Sequence, residues 1–283
     1  MTVQAPPLDV STRAGCGQLA VEVVSGKSAA TVVEAHSPLK ILVPRPRGQS
    51  VWAYLSNFGG GLLPGDEIDF SISVIEGARC FLGTQSSTKI FRGGAKGAVK
   101  NRFAAEINSG GLLVYAPDVA QSFATSRYVQ TQSIRLADES ANLVFVDWYS
   151  SGRAARDERW SFSEYSSRNE IRVNNRLIFL DSIRLDAADD LIALGERFGR
   201  INCVATAVIL GTELEKYATE GAKEVAASPI SKRADILETA SAIPGGCVFR
   251  FAGVSVEAVA RRLISRIDFV SSLLGDNPFQ RKW

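Results

Sequence analysis

Residues 54–93 read YLSNFGGGLLPGDEIDFSISVIEGARCFLGTQSSTKIFRG, a ladder of short apolar runs cut by two glycine-rich turns and a polar Thr84-Gln85-Ser86-Ser87-Thr88-Lys89 segment. Gly59, Gly60 and Gly61 call for positive φ or close backbone approach, and Pro64-Gly65 bends the chain once more before Asp66 and Glu67 emerge. The text then alternates. Ile68, Phe70, Ile72 and Val74 share one face, and Glu67, Asp69, Ser71 and Ser73 share the other, which is the pattern of a half-buried strand.

The same grammar extends in both directions. Strand signals at Leu19 to Val24, Thr31 to Val33, Leu39 to Val43 and Val51 to Ser56 precede the stretch. Signals at Ala98 to Ile107, Gly111 to Tyr115, Ser122 to Leu136, Leu143 to Trp148, Arg159 to Tyr165, Ile171 to Val173 and Leu177 to Leu185 follow it. So many short strands without a convincing amphipathic helix predict a mainly β chain, with a β-helix-like stack over residues 1–190. After Asp186-Ala187-Ala188-Asp189-Asp190 the composition changes. Residues 191–283 read as a smaller α+β part with about two helices, packed on the body as one compact unit. Its last helix is expected over Val256 to Leu274, with Ser255 as N-cap and Gly275 as stop.

Composition excludes several functions. The chain has 283 residues, 46% of them hydrophobic, and its 32 basic against 30 acidic side chains give a net charge of +2. That balance argues against a nucleic-acid footprint or a polybasic membrane anchor. The start MTVQAPPLDVSTRAG has neither a basic opening nor an apolar core, and no segment reaches membrane-span length, so a cytoplasmic protein is expected. Cys16, Cys80, Cys203 and Cys247 are far apart in apolar settings and read as buried thiols.

The chemical motifs are sparse. Ser25-Gly26-Lys27-Ser28 ends like a phosphate-binding loop but has Val21 where the first glycine belongs and strands on both sides, so a hairpin turn is expected. Gly93-Gly94-Ala95-Lys96-Gly97 likewise joins two strands. With His36 as the single histidine and no GxSxG elbow, neither a Ser-His-Asp hydrolase nor a conventional zinc or nickel enzyme fits; any metal handled here meets oxygen ligands and binds transiently. The acidic candidates are Asp66, Glu67, Asp147 and Asp181. The last two follow apolar runs, where a carboxylate needs a partner, water or a cation. Salt bridges to Arg153 or Arg184 would satisfy them; a polar channel through the β body, or a carbohydrate-active hydrolase pairing Asp66 or Glu67 with Asp147, would use them.

Several segments in order carry a resemblance: His36-Ser37-Pro38-Leu39 with Pro44, Gly59 to Asp66, Thr84 to Arg92, Ala116-Pro117-Asp118, Asp147 to Arg153 with Glu158, and the closing Asn277 to Trp283. Together they resemble the urease accessory protein UreD (UreH) family. The chain departs from it at Leu62-Leu63-Pro64 and Ala154-Ala155-Arg156-Asp157. The resemblance implies a non-catalytic nickel-insertion chaperone with a β-helix-like body, no tightly bound cofactor, and nickel in transit. Its implied partners are the urease apoprotein, UreF and, through UreF, UreG. The implied transient nickel path uses Asp66, Glu67, Thr88, Asp147 and Asp181. Structural or interface roles are implied for Gly59, Gly60, Gly61, Gly65, Lys89, Arg92, Gly152, Arg153 and Glu158.

Overall fold

A computed structural model describes residues 13–45, 48–93, 97–188, 192–231 and 233–280. Strands β1 (Cys16–Val24) and β2 (Lys27–Ala35) form a hairpin, and β3 (Leu39–Leu42) and β4 (Val51–Asn57) pair antiparallel. Next come β5 (Glu67–Val74), β6 (Arg79–Thr84), β7 (Thr88–Ile90), β8 (Val99–Ile107), β9 (Leu112–Tyr115), β10 (Ala120–Ser122), β11 (Arg127–Leu136) and β12 (Asn142–Ser150). Then follow β13 (Gly152–Arg153), β14 (Glu158–Arg159), β15 (Glu164–Val173) and β16 (Arg176–Asp186). The chain ends with α1 (Leu194–Phe198), β17 (Cys203–Leu210), α2 (Glu215–Ala227), β18 (Ile236–Ile243), β19 (Gly246–Gly253), α3 (Val256–Ile267) and α4 (Val270–Leu274).

Successive strands alternate between two facing sheets. One has the order β16-β15-β11-β8-β5-β1-β2; the other runs β18-β19-β17-β12-β9-β6-β4-β3, with β7 and β10 beside it. Within the sheets β1, β5, β8, β11 and β15 lie parallel to one another, as do β4, β6, β9 and β12. From β4 to β15 the chain crosses repeatedly between the layers and lands parallel to the previous strand of each, which makes a β-solenoid, with antiparallel pairs at both ends. It reads as the expected β-helix-like stack. The Ser25-Gly26 turn is a hairpin with positive φ at both residues, as the two-residue loop between twisted strands requires. The Gly94 to Lys96 turn and the expected boundary at residues 190–191 lie outside the described residues.

The two directions of crossing differ in length. The passages after β5, β8 and β11 are tight turns of four or five residues, whereas the returns after β4, β6, β9 and β12 are long and carry β7, β10, β13 and β14. The Gly59 to Asp66 loop, the TQSSTK segment and the Ser151 to Phe162 passage are therefore gathered at one end of the stack. Between the sheets lies one apolar core that includes Leu19, Phe70, Phe103, Leu143, Phe145 and Ile171. Burying such side chains contributes about 1.5–3 kcal/mol each.

β17, β19 and β18 extend the second sheet, and α2 and α3 cover its outer face over a second core of Ala207, Phe249, Phe251, Val259 and Leu263. Ser255 caps α3, its Oγ accepting from Ala258 N at 3.1 Å, and Gly275 ends α4 at φ 80°. The structure departs from the sequence reading in detail. The expected helix over Val256 to Leu274 is two helices broken at Asp268 and Phe269. Strand Ser122 to Leu136 is split by a turn in which Thr125 has φ 61°. Trp160, at φ 53°, follows β14 and breaks the strand expected over Arg159 to Tyr165, whose last residues Glu164 and Tyr165 run on into the strand expected over Ile171 to Val173 as the single strand β15.

Candidate functional site

The long-return end of the stack encloses a cavity of about 440 Å³, lined at its mouth by Gly60, Gly61, Gln85, Ser86, Ser87 and Thr88 and at its depth by Asn101, Gln130, Gln132 and Asp147. Asp118 also lines it and is fixed by Thr84, whose Oγ1 donates to its carboxylate at 3.1 Å while the Asp118 amide donates to that hydroxyl at 2.7 Å. Neither Lys nor Arg is among the described residues that line it. The mouth depends on Gly61: a Cβ there would stand 2.7 Å from the Lys89 carbonyl and from the Phe91 ring, while Leu62 N donates to that carbonyl at 2.8 Å. Only glycine lets the loop lie flat against the TQSSTK segment.

Asp147 is the deep carboxylate. It sits on the inward face of β12, in register with Leu143, Phe145 and Tyr149. Gln130 Nε2 donates to its Oδ1 at 3.0 Å, and Ser167 Oγ and Asn169 Nδ2 donate to its Oδ2 at 2.8 and 2.7 Å. Burial pushes its carboxyl above the usual carboxylate range; the three hydrogen bonds oppose the rise, and the Asp181 charge adds to it. No arginine or lysine neutralises it in the described structure. The charge is held by neutral donors alone, among the rings of Tyr115, Tyr128, Tyr149 and Tyr165, whose own hydroxyls burial pushes up.

Asp147 belongs to a polar seam that runs sideways across the strands. On one sheet Gln132 is the cross-strand partner of Asn169, and Asn169 that of Asp181; Gln132 Nε2 donates to Asn169 Oδ1 at 2.8 Å. On the facing sheet Asp147 is registered with Thr206, and Thr206 with Arg250. The rows meet where Arg250 Nη2 stands 3.5 Å from Asp181 Oδ1. Gln132 Oε1, in a residue 2% exposed, has no hydrogen-bond partner among the described residues.

The remaining expected positions fall elsewhere. Asp66 turns away from the cavity and closes its own loop, accepting from Leu63 N at 2.8 Å. Glu67 is on the outer face of β5, bound by Lys100 Nζ at 2.9 Å and Arg102 Nη2 at 2.8 Å, and these partners hold its carboxyl down to about 2. Neither carboxylate shares a cleft with Asp147, so the paired acids of a glycosidase are not assembled. Thr88 lines the mouth; Asp181 ends the seam, paired with Arg250 rather than Arg184. Gly59, Gly60 and Gly65 hold positive φ in the mouth loop. Sequence reading gave Asp118 only as part of a resemblance segment, with no role at the site, and missed Gln130, Gln132, Ser167 and Asn169.

Lys89 shapes the mouth through its backbone, while Arg92, Gly152, Arg153 and Glu158 form a clamp behind it. Glu158 accepts from Arg153 Nε at 2.9 Å, Arg153 Nη2 at 2.5 Å, Arg92 Nη2 at 2.5 Å and the Ala124 amide at 3.2 Å. Gly152 has φ 105°, and a Cβ on it would meet the carbonyls of Glu158 and Ser122 at 2.6 and 2.7 Å. One carboxylate thus ties three return loops together. The Arg153 hydrogen bond is the main reason its carboxyl is held down to about 2. Because the folded value lies below the unfolded one of about 4.3, this stabilisation is complete above that pH and is lost as pH falls toward the folded value. Glu158→Gln is expected to lower the melting temperature at neutral pH, with the difference from the native chain closing between about pH 4.3 and the folded value near 2. A gap that persisted in stronger acid would mean that charge is not what holds the loops.

The described residues contain no cluster of three His, Cys, Asp or Glu side chains able to grip a metal ion, and no helix long and apolar enough to cross a membrane. Fold and cavity together define a β-solenoid whose apolar core is crossed by a polar seam, with Asp147 as the carboxylate at the cavity's depth among the described residues. A family model described as "UreD urease accessory protein" matches residues 13–283. The chain belongs to that family. It is 43% identical over 274 residues to the urease accessory protein UreD of Sorangium cellulosum, covering 96% of this chain and 85% of that one. It is 37% identical to the UreD of an Anaeromyxobacter species over 99% and 93% of the two chains, and 35% identical to urease accessory protein D of Arabidopsis thaliana over 74% and 73%.

Proposed function

We propose that this accessory protein is a scaffold and conduit for urease maturation. It binds the urease apoprotein, recruits UreF and through it UreG, and passes nickel through its interior toward the urease active site. The observation that carries this reading is the seam from the Gly60–Thr88 mouth through Asp147 to Asp181, a row of amide, hydroxyl and carboxylate side chains that are neighbours in the cavity lining or by strand register inside an otherwise apolar sandwich. Such a line is costly to bury unless something polar uses it.

The chemistry suits passage rather than storage. A divalent ion entering the mouth meets the hydroxyls of Ser86, Ser87 and Thr88 and the Asp118 carboxylate. Asp147 then offers one negative charge, and the side-chain oxygens of Gln132, Ser167 and Asn169 stand in for lost hydration. Imidazole and thiolate clusters hold nickel tightly; scattered oxygen ligands hold it weakly and let it leave. The path so drawn includes Thr88, Asp147 and Asp181 and omits Asp66 and Glu67.

Ser87→Trp tests the reading without removing a carboxylate, because it fills the mouth from an open loop position. Urease matured with this variant should co-purify with the chain as before and contain several-fold less nickel. Equal nickel content with the native and the blocked chain would overturn the conduit.

A further inference from the structure

The two ends of the seam differ in charge, the mouth holding a carboxylate and the far end an ion pair. At the mouth an entering cation meets hydroxyls and Asp118, with no described Lys or Arg on the lining. At the other end the row Asp147, Thr206, Arg250 on one sheet and the row Gln132, Asn169, Asp181 on the other converge on a guanidinium. This happens where the first sheet stops at its edge strand β16 while the second continues past β19 to β18. Asp181, 18% exposed, and Arg250, 45% exposed, therefore face each other across the opening of the last coil.

We propose that the Arg250–Asp181 pair is a charge gate. In the isolated chain it makes the seam a cup, open at the mouth and closed to divalent cations at the far end. This rests on the conduit reading above. A dication that reaches Asn169 finds Asp181 already neutralised and a fixed positive charge behind it, so the step outward is repelled. The gate is easily opened, however. Arg250 is half-exposed on a long flexible stem, and an ion pair so close to solvent is weak and screened by salt. A competing carboxylate on a docked protein draws the guanidinium away, frees Asp181 to accept the cation, and turns the cup into a passage. Release is thereby coupled to docking, which a chain with weak oxygen sites needs if its cargo is not to escape.

The mouth-blocked chain provides the test. Each full-length protein is incubated with nickel ion until metal analysis shows equal bound nickel, then mixed with a chelating dye, and the release rate is followed by absorbance for the native chain, Ser87→Trp, Ser87→Trp with Arg250→Gln, and Ser87→Trp with Arg250→Lys. Thermal melts establish that all four are folded. Blocking the mouth should slow release, Arg250→Gln should then restore it by on the order of tenfold, and Arg250→Lys, which keeps the charge, should not. If the blocked chain releases nickel as fast as the native one, the conduit itself is wrong and the gate falls with it. If blocking slows release and Arg250→Gln fails to restore it, or if Arg250→Lys restores it equally well, the conduit stands and the gate is overturned.

Discussion

Replacing Asp147 by asparagine is expected to lower the nickel content of urease matured with the variant by roughly tenfold or more, because the one charge deep in the seam is removed while the shape stays. The fold should survive. Asparagine fits the same volume, and its oxygen still accepts from Gln130, which now donates to Asp147 at 3.0 Å. Its amide would face Asn169, so that side chain must turn over to accept, at the cost of the bond it receives from Gln132. Against that loss stands relief from burying a carboxylate without a cationic partner, a group whose ionisation burial already resists. Metal analysis of purified urease reads the first effect and a thermal melt the second. A stable variant that loads urease as well as the native chain would remove Asp147 from the path.

The largest loss of stability is expected from Arg266→Ala, at about 2–4 kcal/mol in chemical denaturation, from the cavity and the lost charge-assisted hydrogen bonds. Arg266 is 8% exposed on α3, and its guanidinium lies 5.1 Å from the Phe249 ring centre. It donates from Nε to Glu238 at 2.9 Å and from Nη1 to Glu224 at 2.8 Å, so one side chain joins α3 to β18 and α2. The fit is close enough that Gly221 on α2 has no room for a methyl group: a Cβ would stand 3.0 Å from Arg266 Nη1 and from Phe249. Truncation opens a cavity and leaves Glu238 with Arg262 alone. Arg266→Met should recover the packing share of the loss and none of the charge share. If alanine and methionine cost the same, packing contributes little at this position.

The strands were legible because glycine, proline and polar clusters punctuate nearly every one, and the mainly β stack follows from their number and spacing. Their pairing was not. Parallel registers such as Phe70 with Phe103, or Gln132 with Asn169, join residues separated by a whole coil and leave no local mark. At the site, Asp147 and Asp181 could be singled out because each interrupts an apolar run. The glutamines of β11 could not: Gln130 and Gln132 are on the inner face, but Thr131 and Ser133 on the outer face are polar too, so over that part of the strand the period of two carries no hydropathy signal. Ser167 and Asn169 on β15 are hidden the same way.

Asp66 and Glu67 lie apart from the cavity for different reasons. Asp66 follows a proline-glycine bend, a place that equally suits a turn-capping carboxylate, and it caps Leu63. Glu67 shares a face with Asp69, Ser71 and Ser73, opposite the buried Ile68, Phe70, Ile72 and Val74. Its alternation already placed it outside.

The unequal crossings of the solenoid give the molecule a working end and a handling end. The turns after β5, β8 and β11, with Gly77 and Gly110 at positive φ, sit opposite the mouth loops, the clamp and the cavity opening. A fluorophore, an affinity handle or a solid support attached at those turns would present the whole set of return loops to solution in one orientation. Immobilised this way, the chain becomes an oriented probe, on which partners that need the mouth and partners that avoid it can be told apart by binding alone.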